Sequence, residues 1–86
     1  MKIKNDVKVR KEDGFYLIIN LSTESVIKGL PSFFKINEVG NIIIEMLKER
    51  SYNEREVLER FVDTSISQAS IVKFLDFLKE YDLCYE

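Results

Sequence analysis

The chain has 86 residues, with thirteen Lys and Arg against fifteen Asp and Glu, no histidine and one cysteine, for a formal net charge of −2. A single domain suits that length, and 45% apolar with 33% charged residues is a globular rather than a disordered mixture. One thiol with no imidazole excludes an internal disulfide, a closed four-ligand zinc site and histidine-based catalysis, so no metal or other cofactor is expected. The longest uninterrupted apolar run, Phe15 to Ile19, is far below the roughly 18 to 20 residues of a membrane span. No apolar stretch follows the charged Met1 to Asp6, so a secretion signal is not expected. A reducing, cytoplasmic setting and no membrane partner are the resulting expectations.

Residues 1–36 alternate and residues 37–82 repeat at helical spacing. Val7 and Val9 between Lys8 and Arg10 predict a half-buried strand, closed by the polar turn Lys11-Glu12-Asp13-Gly14. Phe15, Leu17, Ile19 and Leu21 mark one face of a second strand, with Tyr16, Ile18 and Asn20 on the other. Ser22-Thr23-Glu24-Ser25 reads as a further turn, and Val26-Ile27-Lys28 as the start of a third strand in an antiparallel meander. Gly29-Leu30-Pro31-Ser32 interrupts it, because Pro31 cannot donate to a ladder. Ser32 to Ile36 either continues the third strand beyond a bulge or forms a separate piece.

Three helices are predicted next. Asn37 is an N-cap, and Val39, Ile42, Ile43, Met46 and Leu47 form a broad apolar stripe behind it. Gly40, in the first turn, implies close backbone packing. Asn53 and Glu56 read as a capping box for the second helix, whose narrow apolar face is Leu58, Phe61 and Val62. Ser65 or Ser67 starts the third. Cys84 reads as a small buried hydrophobe, and Glu54, Glu56, Glu59 and Asp63 as a solvated face.

Two asymmetries stand out. On the third helix, Ile71, Leu75 and Leu78 form the core stripe, but Phe74, Tyr81 and Phe77 extend it round one shoulder. Either strands or Leu83-Cys84-Tyr85 cover that shoulder, or it lines a groove for an apolar ligand segment. The first strand is guarded by Lys4, Asp6, Lys8, Arg10 and Lys11, whereas Ser25 to Leu30 holds one charge. Either Leu30 to Ile36 folds back over that edge, or an extended peptide pairs with it. A winged-helix DNA-binding regulator is the alternative for a sheet with three helices. However, the exposed charges of the third helix are Lys73 and Lys79 against Asp76, Glu80 and Asp82, so nucleic acid is not the expected partner.

Arg10-Lys11-Glu12-Asp13-Gly14-Phe15-Tyr16-Leu17-Ile18, Asn20-Leu21-Ser22-Thr23-Glu24, Lys35-Ile36-Asn37-Glu38-Val39-Gly40 and Phe74-Leu75-Asp76-Phe77-Leu78 with Leu83 together resemble the PqqD-like family over residues 7–85. The resemblance implies an α+β, winged-helix-like fold: a three-stranded antiparallel sheet packed on three helices, in one domain over residues 1–86. It also implies a peptide chaperone, or precursor-peptide recognition element, in natural product biosynthesis rather than an enzyme. Such proteins bind the leader region of a ribosomally made precursor peptide by strand addition and present it to a modifying enzyme, either a radical-SAM maturase or a leader peptidase and cyclase system. Carried onto this chain, the strand platform is Ser25, Val26, Ile27, Lys28, Gly29 and Leu30, or Ser32 to Ile36 in a shifted register. The helical wall is Ser70, Phe74, Phe77 and Tyr81, with Lys73 at its margin. Lys28, Lys35 and Lys73 would favour an acidic leader. Two departures from the family pattern are the apparent insertion at Gly29 to Ser32 and Asp82 where a helix-ending glycine is common.

Overall fold

The computed structural model describes all of residues 1–86. In chain order the elements are β1 (Lys2–Ile3), β2 (Val7–Glu12), β3 (Phe15–Asn20), α1 (Thr23–Ile27), β4 (Phe33–Ile36), α2 (Glu38–Glu49), α3 (Glu54–Arg60), α4 (Gln68–Glu80) and β5 (Cys84–Tyr85). Three strands form an antiparallel sheet in the order β2-β3-β4, and β1 pairs with β5 in a separate two-stranded sheet. The fold is therefore α+β, with a three-stranded antiparallel sheet as the spacing predicts.

The alternation along β3 assigns the faces. Tyr16, Ile18 and Asn20 turn inward with Val7 and Val9 of β2 and Phe34 and Ile36 of β4, while Phe15, Leu17 and Ile19 turn outward with Lys8, Arg10, Phe33 and Lys35. Ile18 is completely buried, in one core cluster with Ile43, Ile44 and Leu47 of α2 and Ile71, Leu75 and Leu78 of α4. Each such side chain withdrawn from water contributes about 1.5–3 kcal/mol. On α2 the buried stripe runs through Ile43, Ile44, Met46 and Leu47, and Ile42 is instead 37% exposed. On α3 the core takes Val57, with Phe61 just beyond the helix, and leaves Val62 exposed, one position off the predicted face.

The caps are as the side chains predict. Asn37 Oδ1 accepts from Gly40 N at 2.9 Å, and Asn53 with Glu56 closes a reciprocal box at 2.8 and 3.0 Å. Ser67 Oγ accepts from Ser70 N at 3.1 Å to open α4.

Residues 23–27 differ from expectation. Ser25, Val26 and Ile27 are helical, Lys28 is the C-cap, and Gly29 and Leu30 follow it, so no part of Ser25 to Leu30 is a strand. The β-branched pair Val26-Ile27 favours extended structure, but it sits between two stronger local signals. Ser22 Oγ accepts from Ser25 N and caps the helix start. At the other end Gly29, at φ 75°, lets Leu30 N donate to Ser25 O and Gly29 N to Val26 O, a Schellman closure. Glu24 and Lys28 add an i,i+4 pair at 3.3 Å. Buried Asn20 holds the turn beneath, donating to Ser25 Oγ and accepting from Ser22 N.

The same closure ends α4 without a glycine. Leu83 N donates to Leu78 O and Asp82 N to Lys79 O, with Asp82 at φ 58°. That conformation costs an L-residue about 1 kcal/mol or more. Its carboxylate meets Lys4 Nζ at 2.7 Å and Lys28 Nζ at 3.2 Å, drawing the N-terminal segment and α1 onto the end of α4. The hydrogen bond from Lys4, and then that from Lys28, holds the Asp82 carboxyl below its usual 3.8.

Because the folded value lies below the unfolded one, this stabilisation is complete above the ordinary carboxylate range and is lost as pH falls through the folded value. Asp82→Asn tolerates the left-handed backbone but carries no charge. Its urea midpoint should be lower than that of the wild type at pH 7 and should fall less below about pH 4. Parallel loss in both proteins would show that the cluster contributes nothing.

Candidate functional site

The candidate site lies between β4 and α4. Residues Tyr16 to Ile19 pair with Ile36 to Phe33, and Asn20 N donates to Ser32 O at 2.8 Å. Antiparallel pairing alternates, so Ser32, Phe34 and Ile36 direct their backbone groups at β3. The N–H and C=O of Phe33 and Lys35 consequently point away from the sheet. β4 is an edge strand with two residues' worth of unused ladder.

Beneath that edge runs an aromatic row. Phe34 lies edge-on to Phe77 with ring centres 5.2 Å apart and 4.9 Å from Tyr81. Phe77 is 5.3 Å from Tyr81 and 5.6 Å from Phe74. All four rings are half-buried: they pack on the core from one side and face solvent from the other. Spacings of this kind add about 0.5–1.5 kcal/mol per pair beyond burial, so the row is a firm wall.

Past Phe74 the groove deepens into a cavity of about 570 Å³ between the start of α2, the loop before α4, and α4 itself. Gly40, Ile43, Ile66 and Phe74 supply its apolar lining, with Asn37, Ser70 and Lys73 at its polar margin. A smaller hollow of about 270 Å³ shares Asn37, Phe74 and Phe77 with it and reaches Lys35 and Ile36 of β4. Gly40 makes this geometry: a Cβ there would lie 2.9 Å from Phe74 Cε1 and 3.3 Å from Ile36 Cβ.

The predicted site residues thus divide. Ser70, Lys73, Phe74, Phe77 and Tyr81 lie in order along the groove. Ser25 is buried and bonded to Asn20, and Lys28 is held by Asp82 and Glu24. Val26 and Ile27 are exposed on α1, and Gly29 and Leu30 close that helix. The edge expected at residues 25–30 is supplied instead by Phe33–Ile36, the shifted register. Sequence reasoning did not single out Phe34 or Ile66, although the alternation Phe34, Ile36 carries the signal for the first. Cys84 is buried, and desolvation pushes its thiol above the usual range, away from nucleophilic use. Nowhere do three His, Cys, Asp or Glu side chains converge as metal ligands.

No family model matches the chain, and no curated protein does. Among solved structures it is similar to TbiB1 in complex with the TbiA(beta) leader peptide, at TM-score 0.64 and 22% identity over 96% of this chain and 93% of that one. The two share a fold. That neighbour was solved with a leader peptide bound.

Gly40→Ala tests the close approach that shapes the groove. The gain in helix propensity, about 1 kcal/mol, should offset the crowding, leaving stability within about 1 kcal/mol of wild type. The largest NMR shift changes should fall on the Phe74 ring as it turns into the cavity. Changes confined to the backbone near residue 40 would show that the ring has room elsewhere.

Proposed function

We propose that this protein binds the leader segment of a ribosomally synthesised precursor peptide, by strand addition to β4, and presents the peptide to a modifying enzyme without turnover of its own. One observation carries the reading: an unpaired strand edge lies directly beside an open aromatic groove. The shared fold with a protein solved in a leader-peptide complex supports it, as does the resemblance of the sequence to the PqqD-like family.

The chemistry follows from the geometry. Phe33 and Lys35 offer two N–H and two C=O groups, so an extended peptide gains sequence-tolerant backbone bonds there. Alternate side chains of the added strand then project over Phe34, Phe77 and Tyr81. Two residues of ladder are a weak grip, and side-chain anchoring must supply the rest. An apolar residue seated in the cavity beside Gly40, Ile66 and Phe74 contributes about 1.5–3 kcal/mol. Lys73 flanks this path and favours an acidic leader, whereas the Lys35 ammonium lies over the Phe15 ring on the other face of the sheet. Lys28 is occupied by its own carboxylates and takes no part.

The test uses labelled synthetic peptides covering the N-terminal segments of short open reading frames beside the gene. One of them should bind the wild type. Lys35→Pro removes an outward N–H and no bond to β3, so it should fold normally yet lose affinity about tenfold relative to Lys35→Ala. Phe77→Ala should weaken binding about tenfold or more, and Lys73→Ala chiefly at low salt. Equal affinity of the proline and alanine variants would remove strand addition, and unchanged affinity of Phe77→Ala would remove the groove.

A further inference from the structure

The opposite face of the sheet is also unfinished. An antiparallel sheet with one face on the core normally turns polar residues to water on the other. Here the outward residues of the central strand are Phe15, Leu17 and Ile19, each half-buried, continued across the register by Phe33, which is 63% exposed. None of the four packs on the core cluster, which gathers on the inner face with the helices. The result is an apolar stripe about 14 Å long, from the rise per residue of a strand.

Cations border it on both sides. Lys8 stands opposite Ile19 and Arg10 opposite Leu17 on β2, while Lys35 stands opposite Leu17 on β4 and lays its ammonium 4.5 Å from the centre of the Phe15 ring. Glu12, paired with Arg10 at 2.6 Å, is the one acid on this face. The whole chain is polarised in the same sense. Residues 1–36 hold seven Lys and Arg against four Asp and Glu, and residues 37–86 hold six against eleven. A net acidic protein thus presents a basic, apolar-centred sheet.

We infer that this face docks an acidic amphipathic helix of a partner protein. A stripe one strand wide, with positive charge on both flanks, complements a helix whose apolar stripe is flanked by Glu or Asp. The stripe matches about nine residues of helix at 1.5 Å rise. The cations steer such a partner to the sheet, and the acidic helical half repels it from the rest of the surface. Because the face lies across the sheet from α4, a strand added to β4 leaves it open, and the inference stands independently of the groove.

The probe is a synthetic helical peptide of fourteen residues with a Leu and Phe stripe flanked by Glu, titrated into the full chain by NMR. Its counterpart with Lys in place of Glu and vesicles of phosphatidylglycerol with phosphatidylcholine are run beside it. The acidic peptide should shift Leu17, Ile19 and Phe33, weaken as salt rises, and bind about tenfold more tightly than the Lys peptide. Leu17→Ser, a substitution outside the core, should reduce its affinity about tenfold, equivalent to about 1.4 kcal/mol, and leave groove binding intact. Four results overturn the inference: equal binding of both peptides, shifts confined to Phe74 and Phe77, stronger binding to the vesicles, or shifts at these residues that follow protein concentration without peptide.

Discussion

Strand alternation at β4 divides its residues between two tasks, and the candidate site depends on that division. Phe34 and Ile36 turn their side chains to the core and their backbone groups to β3. Phe33 and Lys35 are left with backbone groups facing outward, available to another chain. The strand is secured by its inward set alone, so its outward set need not contribute to folding. The ring of Phe34 joins the two roles, since it belongs to the strand and also starts the aromatic row that continues through Tyr81, Phe77 and Phe74.

The helices then set the depth of the site. Gly40 lets α2 approach Phe74 and Ile36 more closely than any larger residue permits, and the loop before α4 closes the far wall with Ile66. At the other end Asp82, Lys4 and Lys28 draw α1 and the N-terminal segment against the terminus of α4. One end of the groove is therefore hollow, and beyond Tyr81 at the other lies the ion-paired end of α4.

Much of this was legible in the sequence because the signals were local and redundant. The β2–β3 hairpin follows from alternation, and the caps at Asn37, Asn53 and Ser67 announce their helices. The wheel of α4 separates the core residues Ile71, Leu75 and Leu78 from the aromatic shoulder. Residues 23–27 were misread because Val26 and Ile27 carry strand propensity while the deciding features, Ser22 as cap and Gly29 as stop, resemble ordinary turn residues. That error displaced the edge by several residues. The two-residue strands β1 and β5 have no periodicity to detect and exist only because Leu83 and Cys84 are buried where the N-terminal segment passes. Ile44 is buried where the wheel expects Ile42, because tertiary packing decides which side of a broad apolar stripe turns inward, and no helical wheel contains that.

The brevity of β4 also limits what can add to this border. Pro31 stands just before the strand and the turn into α2 just after it, so an approaching copy finds only a couple of partners for its own main chain. Sheet-to-sheet polymerisation needs a long, repeating seam, and this seam ends before cooperativity can build. Under the proposed function, a peptide that pairs here must also seat a side chain in the hollow further along, and that double demand would separate an invited peptide from an accidental one.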